Sequence, residues 1–192
     1  EGRWHYDLRR YKVVHELLDH KSRSWNLAGK TAEEFYQLSE AYENQSDGLF
    51  SIFLGLENGA AIGESLDRLY EFYDAGVRYV TLCHSRDNQI CDSCAQGSRW
   101  YGLSPFGKEM LRHMNRMGML VDVSHISDNS FYDVLATSSR PVVATHSCCR
   151  ALCDHPRNMT DDMIRELAAA GGVIQINFYP LFLDGGFRSV LE

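Results

Sequence analysis

The sequence predicts an α/β protein whose parallel strands form part of a (β/α)8 barrel of the TIM type. Three observations support this. Five short apolar runs are typical of buried strands, helical patterns lie between them, and the two alternate along the 192-residue chain. Repeated βα units form a parallel sheet, either doubly wound or barrel-shaped. Because a complete barrel needs eight strands and about 250 residues, either the sheet is open or part of the barrel is absent.

The strand predictions rest on nearly continuous apolar runs, which favour a parallel sheet that is covered on both faces. Such runs differ from the alternating pattern of a strand with one face in water. The predicted strands are residues 51–56, 77–82, 119–123, 141–144 and 173–176.

Two helices between these strands have recognisable ends. Residues 62–73 place apolar side chains on one helical face, and Gly76 can end that helix. Ser104 followed by Pro105 is typical of a helix start. Methionines then recur at helical spacing up to Gly118, and such a stripe indicates a core role rather than a binding face.

Helical patterns also occur near both ends of the chain. Thr160, followed by two aspartates, predicts a helix start with favourable dipole charge, and this helix ends near residues 171–172. Near the amino terminus, two helices are predicted over residues 6–19 and 31–43, without a clear strand.

The predicted organisation is a single domain, residues 1–192, that forms an incomplete barrel. Residues 1–45 are a helical lead-in, and residues 46–192 are the βα repeats that carry the candidate site. The chain starts without Met, and its first residues are not typical of a signal peptide. We therefore expect a processed or partial chain, and its compartment is left unknown.

Composition excludes several classes of protein. With 44% hydrophobic residues the chain is too apolar for a disordered protein. A net charge of −7 argues against a nucleic-acid surface, which needs a basic stripe. No apolar run approaches the roughly 18 residues that span a bilayer, so no membrane segment is expected in this chain.

Six cysteines leave the redox state open. Cys91 and Cys94 have the spacing of a zinc or redox pair, but a second such pair is missing, and structural zinc usually needs four ligands. Ordinary thiols or one disulfide are therefore favoured over a structural zinc.

Polar residues follow four successive predicted strands. Glu57 ends the first strand, His84 the second, His125 the third and His146 the fourth. In a parallel barrel these strand ends meet at one face, where barrel active sites lie. Neutral imidazole and carboxylate groups suit Zn²⁺ and similar ions. The pattern therefore predicts a metal site at the mouth of the barrel.

The remaining candidates are weaker. His15, His20 and His113 lie in helical patterns, and His155 lies in a loop. His5 and Asp7 have the spacing of a metal-binding pair, but no apolar strand precedes them. Arg157 lies in a polar loop, where it can bind a carboxylate through two hydrogen bonds, although residue type alone favours a surface role.

At these residues the chain resembles the membrane (renal-type) dipeptidase family of zinc metallopeptidases. The steps of 21 residues from His125 to His146 and of 11 residues on to Arg157 also fit. The matching stretches are GLENG around Glu57, TLCHS around His84, GLSPFGKEML from Gly102, LVDVSHIS around His125, ATHSCCRALCDHPRNMTDD from Ala144 and INFYP from Ile176.

The resemblance implies a (β/α)8 barrel with two zinc ions. Glu57 matches the carboxylate that bridges both metals, and His125 and His146 match ligands of one zinc, so the ligands for one ion are largely present. His84 matches the catalytic histidine that faces the substrate. Arg157 matches the residue that holds the substrate carboxylate, and Tyr179 is expected to line the substrate pocket.

The implied activity is hydrolysis of a dipeptide by a hydroxide that the metals activate. His84 would stabilise the developing oxyanion, and Arg157 would select a free C-terminal carboxylate. The family often forms dimers, so the implied assembly is a homodimer.

Two parts of the family's pattern are missing. The first-strand H-x-D pair has no counterpart in the right context, and the chain stops before the last-strand Asp. We therefore expect an internal piece of a longer enzyme, and activity of this piece alone is uncertain. Two alternatives stay open: an amidohydrolase-type enzyme that acts on another small amide or a lactam, and a catalytically inactive metal-binding domain.

Overall fold

The structure, a computed structural model, describes residues 53–96 and 98–184. The helices predicted over residues 6–19 and 31–43 lie outside this part of the chain. So do His5, Asp7, His15 and His20, and the first two residues of the first predicted strand. The predicted division into a helical lead-in and βα repeats therefore stays a prediction.

Five parallel strands alternate with helices, as predicted. The strands pair in sequential order, β1-β2-β3-β4-β5, whereas a doubly wound sheet reverses its strand order part-way. The order is therefore that of a (β/α)8 barrel. The strands are β1 (Leu54–Glu57), β2 (Val77–Thr81), β3 (Leu120–Asp122), β4 (Val143–Ser147) and β5 (Val173–Ile176).

Four of the helices begin with the same N-capping interaction. Their first residue follows a Ser or Thr whose side-chain oxygen accepts a backbone N–H three residues later, which satisfies one of the free donors of the first turn. These helices are α1 (Leu66–Asp74) after Ser65, α2 (Pro105–Met117) after Ser104, α3 (Asp128–Thr137) after Ser127 and α4 (Asp161–Ala169) after Thr160. A short helix, α5 (Pro180–Leu183), follows β5.

The helices form the core with one face of the sheet. Met110 and Met114 of α2 are fully buried, which confirms the core role predicted for the methionine stripe. Phe131 and Val134 of α3 and Leu167 of α4 are buried in the same cluster. Gly118 ends α2 with a φ of 77°, a left-handed conformation that glycine adopts without strain.

The structure corrects three details of the prediction. Helix α3 was not predicted, although Ser127, Phe131 and Val134 carry its signal. Strand β4 begins at Val143 rather than at Pro141 and continues through His146, because proline has no N–H for the strand ladder. The segment from Ile62 is divided: a 3-10 turn covers Gly59–Ile62, and α1 starts at Leu66.

The fifth strand differs from the other four in its exposure. Val173 is 58% exposed and Ile176 is 49% exposed, whereas the expectation from the apolar pattern was burial on both faces. Among the described residues β5 pairs only with β4, so its other edge is open. No helix in the described segments is long and apolar enough to cross a membrane.

Candidate metal centre

The four residues predicted at strand ends lie together at the carboxyl ends of the strands. Glu57 is the last residue of β1 and His146 lies within β4, whereas His84 and His125 each follow their strands by three residues. Parallel pairing of β1 to β4 brings these positions to one edge. All four line a cavity of about 580 Å³.

Three of these side chains converge closely enough to share one ion. The Oε1 of Glu57 lies 3.4 Å from the Nε2 of His125 and 3.4 Å from the Nε2 of His146. The two Nε2 atoms are 2.8 Å apart. One ligand atom from each residue falls within 4.8 Å of the others. We call Glu57, His125 and His146 the Glu57 cluster.

The local electrostatics keep both imidazoles neutral near pH 7. Burial, together with the nearby Arg157, His84 and His146, lowers the pKa of His125 to about 2, and burial is the largest of these causes. Burial also lowers the pKa of His146, although Asp122 and Glu57 oppose that shift. A neutral imidazole has a lone pair available for a metal ion, so the donors of the Glu57 cluster fit a divalent cation.

The backbone holds His125 in a strained conformation. Its φ is 74°, in the left-handed region that non-glycine residues seldom occupy. The carbonyl of His125 accepts the backbone N–H of Cys94 at 2.9 Å and the hydroxyl of Ser93 at 3.4 Å. Backbone strain of this kind clusters at functional sites, and His125 is a member of the Glu57 cluster.

His84 lies beside the Glu57 cluster but is more open. Its Nε2 is 3.7 Å from the Oε1 of Glu57, and its ring centroid is 4.2 Å from that of His125. Its Nδ1 is 2.8 Å from the hydroxyl of Ser85. The side chain is 45% exposed, so His84 can face a bound molecule in the cavity.

Arg157 reaches the same cavity from the loop after β4. Its Nη2 donates to the carbonyl of His146 at 3.0 Å. Its buried Nε has no partner among the described residues. Burial lowers the pKa of its guanidinium, which still leaves a cation with unused N–H donors beside the Glu57 cluster. Such a group is suited to an anion.

Tyr179 lines the cavity, and its ring contacts that of Phe182, with centroids 4.9 Å apart. Phe182 also lies 5.4 Å from the Arg157 guanidinium. Buried Asn158 links the loop after β4 to α5, since its side-chain amide donates to the carbonyl of Phe182 at 2.8 Å. We call Arg157, Tyr179 and Phe182 the Arg157 wall.

Several lining residues were not predicted. Cys94, Asn177 and Phe182 line the cavity, and Thr145 lies 2.7 Å from the Nδ1 of His146. Cys94 carries no strand-end signal, and Phe182 follows a proline in a short helix. Asn177 directly follows the predicted strand 173–176, so the strand-end rule that selected Glu57 and His146 could have found it. Thr145 could have been noticed, because a polar residue directly precedes a predicted site histidine in an apolar strand.

Among the described residues, His113, His155 and the six cysteines fall outside the Glu57 cluster. His113 accepts or donates a 2.8 Å bond with the hydroxyl of Tyr70, and His155 accepts the backbone N–H of Arg157. All six cysteines are free thiols. Burial raises the pKa of the Cys94 thiol to about 11.

A family model described as membrane dipeptidase, peptidase family M19, matches residues 3–190. The chain belongs to the membrane dipeptidase family. This confirms the resemblance drawn from the sequence, and with it hydrolase and metallopeptidase as the class of protein.

Curated relatives agree with this membership. The chain is 41% identical over 135 residues to an uncharacterised dipeptidase of Schizosaccharomyces pombe, covering 70% of this chain and 33% of that protein. It is 35% identical over 166 residues to the dipeptidase tcpJ of Claviceps purpurea, covering 86% of this chain and 39% of that protein. The chain thus spans between a third and two fifths of these relatives.

Solved structures agree with the fold. The probable dipeptidase PvdM of Pseudomonas aeruginosa is 28% identical with a TM-score of 0.76, over 95% of this chain and 46% of that one. A Rhodobacter sphaeroides metallo peptidase, liganded with a phosphinate mimic of the dipeptide L-Ala-D-Ala, is 26% identical with a TM-score of 0.75. That match covers 93% of this membrane dipeptidase chain and 53% of the other.

Proposed function

We propose that this chain carries much of the active site of a zinc-dependent dipeptidase whose substrates have a free C-terminal carboxylate. The observation that carries the proposal is the convergence of the Glu57 cluster within 4.8 Å at the strand ends. Membership of the membrane dipeptidase family supports peptide-bond hydrolysis. The phosphinate mimic bound to the Rhodobacter sphaeroides structure supports a dipeptide as the substrate class.

Zinc is the metal that we propose, because one carboxylate and two neutral imidazoles match its usual ligands. His125 and His146 would hold one ion, and Glu57 would be shared between two. Bound divalent metal would polarise the scissile carbonyl and supply a hydroxide nucleophile near neutral pH. The chain's own residues would bind and orient the dipeptide around that centre.

Arg157 is proposed to bind the C-terminal carboxylate of the substrate. Among the described residues, only one of its five N–H donors has a protein acceptor, the carbonyl of His146. The guanidinium lies in the same cavity as Glu57, so a carboxylate bound there would place the adjoining peptide bond toward the Glu57 cluster. A charge-assisted pair in a partly buried site favours a free carboxylate over a neutral amide.

His84 is proposed to donate a hydrogen bond to the oxygen of the scissile carbonyl as negative charge develops on it. If the hydroxyl of Ser85 donates to Nδ1, then Nε2 carries the proton and faces the cavity. A donor placed in advance at that oxygen lowers the barrier without reorganisation. Tyr179, a member of the Arg157 wall, lines the same cavity and would contact the substrate side chains.

The test is a substrate panel on the full-length protein after chelation and after zinc is restored. We expect zinc-dependent hydrolysis of a dipeptide such as L-Ala-D-Ala, and a loss of at least about tenfold on C-terminal amidation. Equal hydrolysis of the amidated dipeptide would favour the small-amide alternative. No hydrolysis of any dipeptide at full zinc occupancy would favour the inactive metal-binding alternative.

We also propose a homodimer, which rests on the family resemblance alone. Sedimentation of the full-length protein at micromolar concentration would give twice the chain mass. A single-chain mass across that range would contradict it.

A further inference from the structure

Asp122 is a buried carboxylate that does not belong to the Glu57 cluster. It is the last residue of β3 and is 0% exposed. Burying a carboxylate is costly unless its oxygens are hydrogen bonded. Its Oδ2 accepts the hydroxyls of Thr81 and Thr145, both at 2.6 Å. Its Oδ1 accepts the backbone N–H groups of Ser124 and Thr145, both at 3.0 Å.

These contacts join three neighbouring strands, because Thr81 ends β2 and Thr145 lies in β4. Thr145 also contacts a member of the Glu57 cluster, since its Oγ1 is 2.7 Å from the Nδ1 of His146. A continuous chain of short hydrogen bonds therefore runs from Asp122 through Thr145 to His146.

The protons in this chain can be assigned. Asp122 accepts the hydroxyl of Thr145, so the single hydroxyl proton of Thr145 points to Asp122. The bond between Thr145 and His146 must then use a proton on the imidazole Nδ1. This leaves the lone pair of His146 on Nε2, the atom that faces Glu57 and His125.

His125 has no comparable arrangement. Among the described residues no group forms a hydrogen bond with its Nδ1, whereas the Nδ1 of His146 has Thr145 as a partner. The pair Asp122 and Thr145 therefore acts on His146 and not on His125.

We propose that Asp122 and Thr145 are positioning residues that fix the Nδ1–H tautomer of His146 and so prepare its Nε2 for the metal. The claim that Thr145 fixes the tautomer of His146 is independent of the proposed function. The claim that this prepares Nε2 for a metal rests on that function. Groups of this kind hold ligand histidines in orientation and typically change metal affinity 10- to 100-fold when removed.

The test compares wild type with Thr145→Val, which keeps the shape but removes the hydroxyl, and Thr145→Ser, which keeps the hydroxyl. Nitrogen-15 NMR of the histidine rings, on the full-length protein without metal, reports which nitrogen carries the proton, and His146→Gln assigns the signals. We expect the Nδ1–H form in wild type and in Thr145→Ser, and a mixed or Nε2–H form in Thr145→Val.

Thr81→Val is the matched control, because it removes an equal 2.6 Å bond to the same Asp122 oxygen without touching His146. Zinc affinity, from competition with a chelator, should fall about 10- to 100-fold in Thr145→Val and far less in Thr81→Val and Thr145→Ser.

An unchanged His146 tautomer in Thr145→Val would overturn the proposal, and so would an equal loss of zinc affinity in Thr81→Val. If wild type binds no zinc, the proposed metal centre fails, while the tautomer measurement still decides the role of Thr145.

Discussion

The Glu57 cluster and the Arg157 wall face the same cavity but are built in different ways. Glu57 lies in β1 and His146 in β4, two strands of the same sheet, and the His125 side chain is only 12% exposed. The wall comes from the loop after β4 and from α5 with its preceding residue, and Tyr179 is 52% exposed. The positions of the Glu57 cluster follow from the register of the strands. The positions of the Arg157 wall follow instead from contacts between the loop after β4 and α5, through Asn158.

This difference predicts two kinds of response to mutation. The ligand atoms of the Glu57 cluster all lie within 4.8 Å of one another. Because they would bind the same ion, losing one of them should abolish metal binding by the whole cluster. Wall side chains line the part of the cavity where we propose that the substrate binds, so their loss should change substrate binding in graded steps and leave the metal in place.

The largest effect is expected from Glu57→Gln, which keeps the shape of the side chain but removes its charge. Loss of a direct ligand should exceed the 10- to 100-fold effect of a supporting residue, so we expect zinc affinity to fall by more than about 100-fold. Elemental analysis after dialysis measures zinc per chain. Glu64→Gln, an exposed position in the same region, is the control, and unaltered zinc in Glu57→Gln would remove Glu57 from the ligand set.

The same leucine-to-alanine substitution should lower the free energy of unfolding more in the sheet than in α5. Leu82 is fully buried directly after β2, and Leu82→Ala should lower the free energy of unfolding by about 2–5 kcal/mol. Leu181 in α5 is 44% exposed, and Leu181→Ala should cost less than about 1 kcal/mol. Urea denaturation followed by circular dichroism measures both. Similar losses would mean that α5, which carries Phe182 of the wall, is as firmly packed as the sheet.

How far the sequence predicts these regions follows the same division. Apolar runs predicted all five strands, and strand-end position alone selected Glu57, His84, His125 and His146. This works because parallel pairing brings residues distant in sequence to one edge. Arg157 was a candidate from its residue type, but only the family resemblance favoured it over a surface role, and Tyr179 was found through that resemblance alone. Loop residues carry no periodic signal that fixes their neighbours.

Most of the other features that the sequence did not predict are hydrogen bonds, which leave no periodic pattern in the sequence. The bonds from Asp122 to Thr81 and Thr145 join three strands, and no spacing rule predicts which polar side chains meet in a buried sheet. The left-handed φ of His125 arises from the turn after β3. Helix α3 was missed although its capping serine and apolar spacing are present, so that omission was one of interpretation.

A smaller effect is expected from Arg157→Met, which keeps the length of the side chain without its charge. The KM of a dipeptide should rise about 10- to 100-fold, in line with the loss of a charge-assisted hydrogen bond. Its preference over the C-amidated analogue should vanish, while zinc per chain stays unchanged. Arg140→Met, at an exposed position, is the matched control. A preserved preference would assign carboxylate binding to another residue.

The smallest effect, and the sharpest separation of the two regions, is expected from Phe182→Leu. The Phe182 ring lies 5.4 Å from the Arg157 guanidinium and contacts the rings of His155 and Tyr179. A cation–π contact contributes about 0.5–1 kcal/mol, which corresponds to a roughly two- to fivefold rise in KM. Phe178→Leu, at a position that is 81% exposed, is the control.

Because Phe182 acts through Arg157 and not on the Glu57 cluster, kcat and zinc affinity should not change in Phe182→Leu. Steady-state kinetics on a dipeptide and on its C-amidated analogue distinguish these effects, since only the dipeptide uses the Arg157 charge. If kcat or zinc affinity fell along with the rise in KM, the loop contacts through Asn158 would extend to the strand ends, and the two regions would act as one unit.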